Sequence, residues 1–237
     1  GDRMVMYDRS RPTDPEIVDR WDDGVGWIAH PDETGRRVSH LITGSDGVWL
    51  FDPIDIPELD ELVADYEGLT GVVICSNYHA RDADAIARRH DVPIYVPTWL
   101  TRLEGRFSST VKRCESTLGS SGFELFRYSP LPGYDEAVAY RQRDGTLYVP
   151  DALGTAPFYT VDGERLACYG MIRLIPPRSF FEQFDPDRVL VGHGEGVFTD
   201  AAAALDDALA SARRRLPTAL REHGPTQLRG LLAALGG

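Results

Sequence analysis

Lysine is almost missing from this chain. Lys112 is the one lysine among 25 basic residues in 237, and every other basic residue is arginine. Cysteine is scarce as well. Cys75, Cys114 and Cys168 are scattered, odd in number and nowhere spaced C-x-x-C. That excludes a disulfide framework and a structural zinc knuckle. No apolar run approaches the roughly eighteen residues of a membrane-spanning helix. The opening stretch, GDRMVMYDRSRPTDPE, is polar and lacks the apolar centre of a signal peptide. The expectation is a cytoplasmic protein with reduced thiols. Nucleotide-binding signatures are missing too. There is no G-x-x-x-x-G-K-[ST], no G-x-G-x-x-G after a strand, and no G-x-S-x-G nucleophile elbow.

Acid is what the chain has in excess. The net charge is −12, and Asp outnumbers Glu. Such a field opposes binding to nucleic acid and docking on anionic membranes, both of which need a basic face. An Asp-rich, nearly lysine-free surface is the composition of proteins from extreme halophiles. A GC-rich genome, which exchanges Lys codons for Arg, is the other reading. With 42% hydrophobic and 10% aromatic residues, the chain carries enough apolar surface for a substantial core.

The order of elements is legible. VGWIAH (25–30), RRVSHLITG (36–44) and GVWLFDP (47–53) read as strands, the last two joined as a hairpin at the GSD turn. A helix over 57–66, a buried strand at 71–76, a helix over 82–90 and a strand at 92–97 follow. After a less regular region at 101–121, strands are predicted at 123–128, 136–142, 145–150 and 187–194. Short helical character is read at 178–184. A long helix is predicted from Asp200 as N-cap, broken by Pro217, with a last helix over 225–237. The aromatic stretch 156–181 reads either as a cover over a site or as a homodimer contact.

Polar residues gather just past strands. SNYHARDAD (76–84) follows the buried strand, LPGYDEAVAY (131–140) holds Tyr134, and Asp151 follows GTLYVP. His193 sits between two glycines in VLVGHGEGV (189–197). Strand ends are where loops meet at the rim of a sheet, and glycines let backbone approach a ligand closely. Each residue alone also has a plain structural role. His79 can pack at a helix start, Asp82 and Asp84 suit a first helical turn, and Asp151 suits a turn.

Taken together, these loops resemble the metallo-β-lactamase superfamily. The resemblance runs from SHLITGSDGVWLFDP to VLVGHGEGV. It implies an α/β fold, a four-layer αββα sandwich of two mixed sheets flanked by helices. The chain is then one domain of two β-α halves, 20–118 and 119–237. The family's H-x-H-x-D-H loop corresponds to residues 77–82, its PGH to PGY at 132–134, its strand-end aspartate to Asp151, and its GHG to 192–194. Asn77, Arg81, Asp82 and Tyr134 depart from that pattern.

The resemblance implies at most a mononuclear site of His79, Asp82, Asp151 and His193, an N₂O₂ set suited to zinc, iron or manganese. The implied activity is metal-dependent hydrolysis of an ester, thioester, lactone or phosphoester. Asp151 would orient water, and Tyr134 would donate to the oxyanion. Arg81 supports an alternative. A guanidinium cannot ligate a cation, so it would stand in place of the metal and pair with Asp82 or Asp151. The chain would then be a non-catalytic, metal-free binder of a small anion or of a protein partner.

Overall fold

The computed structural model describes residues 4–236. The chain divides into two compact units. One comprises Arg11–Pro31 and Val38–Arg143, and the other comprises residues 4–10, Asp32–Arg37 and 144–236. Each is described by itself.

The first unit is built on a seven-stranded mixed sheet. Strands β1 (Glu16–Trp21), β2 (Gly24–Ile28), β3 (Val38–Gly44) and β4 (Gly47–Phe51) run antiparallel in chain order. Strands β5 (Leu69–Val73), β6 (Ile94–Pro97) and β7 (Val111–Cys114) continue it in parallel. The turn from β3 to β4 closes on Gly44 opposite Gly47, at the GSD signal. Parallel strands need crossovers, and helices α1 (Leu59–Ala64) and α2 (Ala83–His90) supply those from β4 to β5 and from β5 to β6.

Alternation decides which face those helices cover. Val25, Trp27, Leu41, Val48, Leu50, Val72, Ile74, Ile94 and Val96 sit at every second position and point to one side. Leu59 and Val63 of α1 and Ala83, Ile86 and Ala87 of α2 pack on them at helical spacing. The opposite face carries Trp49 and Phe51. Phe51 meets Phe123 edge-on, with ring centroids 5.1 Å apart. Beyond Phe123 lies the antiparallel hairpin of β8 (Glu124–Leu131) and β9 (Tyr134–Arg141). Arg141 is buried there, its guanidinium 4.7 Å over the Phe123 ring and donating to the Ser121 carbonyl.

In the second unit, β10 (Thr146–Val149) pairs in parallel with β13 (Arg188–Val191). Between them in sequence lie the short pair β11 (Leu153–Gly154) and β12 (Ala167–Cys168) and helix α3 (Arg178–Phe181). Helices α4 (Ala201–Ala210) and α5 (Leu216–Leu235) end the chain. Ala201, Ala204, Leu205, Ala208 and Leu209 form the buried stripe of α4. No helix among the described residues is long and apolar enough to cross a membrane.

The helical C-terminus differs from the sequence expectation in three ways. Asp200 does stand at the N-cap, but with φ 48° and no side-chain capping bond. The first helix ends at Ala210, ahead of Pro217, and Pro217 opens α5. A proline in a first helical turn gives up an N–H that has no intrahelical partner anyway. The helix read at 225–237 is the latter part of α5, which carries Pro225 inside it. Four strands went unread: the two-residue β11 and β12, and β1 and β7, which are both edges of the large sheet. EIVDRW and VKRC carry charge where interior strands carry valine, as edges that must not pair onward do.

Candidate metal centre

Strand register brings two predicted residues together. Val149 of β10 lies opposite Val191 of β13. Asp151 and His193 each follow that pair by two residues, so parallel strands deliver them side by side. His193 Nε2 lies 3.0 Å from Asp151 Oδ1. The histidine side chain is buried, and the aspartate side chain is 21% exposed.

The other ring nitrogen fixes the proton. His193 Nδ1 lies 2.7 Å from the Gly35 carbonyl oxygen. A carbonyl only accepts, so Nδ1 carries the hydrogen. In a neutral ring Nε2 then presents a lone pair to a carboxylate oxygen. Two acceptors at 3.0 Å require a cation between or upon them, either a proton or a metal ion.

Several features hold His193 in place. Tyr159 stacks on its ring at 5.9 Å, and Phe158 meets it edge-on at 5.8 Å. The His193 carbonyl accepts from the backbone N–H groups of Thr155 and Ala156. Gly194 follows with φ 99°, and a Cβ there would lie 2.4 Å from the Ala156 nitrogen. Only glycine fits that passage.

Gly35 lies on a strap, residues 32–37, tied to the N-terminal segment. Gly35 N–H donates to the Met6 carbonyl, and Thr34 N–H to that of Val5. Glu33 locks the strap by accepting from Asp8 N–H, Arg37 N–H and both Arg37 Nε and Nη2. Burial pushes the Glu33 carboxyl up. The Arg37 hydrogen bonds and charge, with the two backbone N–H groups, more than offset this and hold it below the usual value. Nearby, burial and the Asp151 charge raise the Tyr169 hydroxyl to about 12.

In the other unit, His79 is buried after β5, and its Nδ1 lies 2.9 Å from Asp52 Oδ2. Asp52 Oδ1 accepts from Cys75 N–H at 2.7 Å. With Asp52 ionised, Nδ1 carries the His79 proton and Nε2 the lone pair, the tautomer a carboxylate-braced metal ligand adopts. Arg81, at φ 43°, donates from Nη1 to the Val38 and Asp52 carbonyls at 2.9 and 2.8 Å. Asp82 occupies the N-cap position of α2 and accepts the Asp55 N–H at 2.8 Å.

Tyr134 opens β9, its ring edge-on to Tyr128 at 6.3 Å. The Tyr78 hydroxyl donates to Gly133, tying the 76–79 turn to the PGY turn. Asn77 is buried, and its amide oxygen accepts from no donor among the described residues.

Sequence reasoning missed the roles of Asp52 as brace for His79 and of the 32–37 strap. Asp52 was visible as the acid ending WLFDP. The strap's one signal was the Gly35 between PDET and RR, which reads as an ordinary turn.

No family profile matches the chain, and no curated protein does. Solved structures do. Those of DIM-1 metallo-β-lactamase exposed to ceftazidime, a metallo-β-lactamase from Pontibacter korlensis, and TMB-1 resemble it. The DIM-1 structure is 14% identical with a TM-score of 0.60, covering 86% of this chain and 99% of its own. The Pontibacter enzyme is 12% identical at 0.60, with coverage of 84% and 99%. TMB-1 is 13% identical at 0.61, with coverage of 84% and 97%. At such identities the likeness shows the fold alone. The chain has the α/β metallo-β-lactamase fold, with mixed sheets and flanking helices.

Proposed function

We propose that the chain binds one divalent metal ion through Asp151 and His193, with His79 as third ligand, and hydrolyses a small ester-class substrate. Ester, thioester, lactone and phosphoester bonds are the candidate linkages. The observation that carries the reading is the His193–Asp151 pair, where a ring nitrogen and a carboxylate oxygen meet as acceptors at 3.0 Å. Two imidazoles and a carboxylate, the set that the resemblance of the 77–82 loop, Asp151 and the GHG turn implies, suit zinc, iron or manganese. Both histidines have their Nδ1 committed to an acceptor, which leaves Nε2 as the ligating atom on each.

A bound ion would supply Lewis acidity and lower the pKa of water. The chain's residues do the rest. Gly35 and Asp52 hold the two imidazoles in one tautomer. Asp151, the more exposed partner, orients water and takes its proton at the carboxylate. Tyr134 donates its hydroxyl hydrogen to charge developing on the substrate oxygen. Asp82, whose Oδ2 braces the backbone at Asp55, keeps the 77–82 loop in register with α2.

The test is hydrolysis of a panel of ester, thioester, lactone and phosphodiester substrates before and after chelation. Activity should vanish with chelator and return with zinc, iron or manganese. Asp151→Asn and His193→Ala should each lower it by about a hundredfold or more. Activity untouched by both substitutions refutes the mechanism.

A second reading rests on the same pair, because a proton satisfies it as well as a metal does. His193 would then be an imidazolium paired with Asp151, and the chain a metal-free binder of a small anion or a protein, with Arg81 the cation in the metal's place. A chain that takes up no metal from zinc, iron or manganese solutions supports that reading.

A further inference from the structure

Helix α5, in the second unit, has two apolar sides. Its buried residues, Ala219, Gln227 and Gly230, mark the line that packs inward. Gln227 Nε2 donates to the Phe158 carbonyl, and the Gln227 carbonyl accepts the Tyr169 hydroxyl. Leu220, Leu228, Leu231, Leu232 and Leu235 fall on another side. At about 100° per residue they span roughly a third of the helix circumference, turned away from the buried line. The 3-10 turn Gly170–Leu174 runs beside α5. Tyr169 precedes that turn, and at its end the Leu174 carbonyl accepts Arg213 Nε, just ahead of the helix. This turn and the residue after it add Met171, Leu174 and Ile175. All eight residues are between 43% and 71% exposed.

A surface helix needs one apolar stripe to join a core, so the fold of the unit does not account for a second. The eight residues leave roughly 700–800 Å² open, above the 300–600 Å² or so of the largest patch on a typical monomer. It matches the about 800 Å² that each partner gives to a standard interface. Acid is missing from this surface as well. The chain has 37 acidic residues in 237, yet residues 165–181 and 223–237 contain none. Glu222 is the one acid of α5 and lies outside the leucine stripe, with Arg221 Nη2 at 3.9 Å from its carboxylate.

We infer that this surface is the interface of a homodimer, in which α5 and the 170–175 turn meet the same elements of a second copy across a twofold axis. Two copies of net charge −12 repel each other. They associate only where the meeting surface is free of carboxylates, and each copy brings such a surface. The other occupants fit less well. The same net charge repels an anionic bilayer, and a basic protein finds no carboxylate here to pair with. The dimer requires neither metal nor substrate, so it goes beyond the hydrolase reading and does not depend on it.

Sedimentation velocity of the full chain over about 1–100 µM tests it. A dimer with a dissociation constant of about 10 µM or tighter is expected. Leu228→Glu and Leu231→Glu should each weaken it by about a hundredfold or more, because each places a charge from both copies in the apolar centre. Both positions are exposed in the single chain, so the variants should keep the parent's circular dichroism and thermal midpoint. Raising the salt from about 0.05 to 0.5 M should tighten the parent dimer by screening the repulsion between acidic copies. A parent that stays monomeric throughout overturns the inference, whether or not it binds lipid vesicles. A dimer as tight in both variants as in the parent overturns it too, since the contact then lies elsewhere. A dimer that salt dissociates is held by ion pairs and also overturns it.

Discussion

Asp52→Asn is the sharpest perturbation available, because it changes one proton and almost no volume. Asp52 is fully buried at the end of β4. Its Oδ1 accepts the Cys75 N–H and its Oδ2 faces His79 Nδ1. In the variant the amide has one acceptor and one donor. The Cys75 N–H is a fixed donor, so the amide oxygen must turn to it. The amide NH₂ is then presented to His79 Nδ1, which must give up its hydrogen and accept. The proton moves to Nε2, and His79 loses its ligating lone pair there. Changing such a brace typically costs about 10- to 100-fold in metal affinity, or roughly 1.4–2.7 kcal/mol. Stability should hold, since asparagine tolerates the left-handed φ of 48° at this position. Competition for zinc against a fluorescent chelator measures the affinity, and ¹⁵N chemical shifts of the ring report the tautomer. Zinc affinity within twofold of the parent, with the tautomer switched, would refute the role of His79. An unswitched tautomer would refute the hydrogen-bond argument.

Other expectations concern the frame around the site. Gly194→Ala forces a Cβ to 2.4 Å from the Ala156 nitrogen at a φ of 99°. It should cost about 2 kcal/mol or more by chemical denaturation and displace His193. Glu164→Gln strips the charge partner from fully buried Arg173, whose Nη2 lies 2.6 Å from Glu164 Oε1. A loss of about 3–5 kcal/mol is expected, and Glu164→Leu with Arg173→Met should recover most of it. Glu33 has a depressed folded-state pKa, so its stabilisation is full above the ordinary value of 4.5 and fades as pH falls through the lower folded value. The protection factors of the Gly35 and Thr34 amides, taken against intrinsic exchange at each pH, should therefore fall below about pH 4.5. Glu33→Gln should remove that acid dependence.

The interior of the fold was legible because its strands are nearly continuous runs of Val, Ile and Leu, and GSD marked the hairpin. Edge strands β1 and β7 were not, since solvent and negative selection against pairing replace the apolar alternation with charge. Pro225 lies inside α5, where propensity would have stopped it. At the site, the nearness of Asp151 and His193 follows from two strand-end residues two positions beyond a paired Val149 and Val191. The partners that set proton positions were hidden. Gly35 contributes a carbonyl, which no side-chain pattern encodes, and it lies 158 positions from His193. Asp52 lies 27 from His79. Long-range backbone acceptors are fixed by tertiary structure alone.

The central claim is one metal ion held at Asp151 and His193. Native mass spectrometry of protein loaded with zinc and dialysed, beside Asp151→Asn and His193→Ala, tests it most directly. The account predicts one zinc per chain in the parent and none in either variant. A parent that retains no metal, or variants that retain one ion as firmly as the parent, would contradict it.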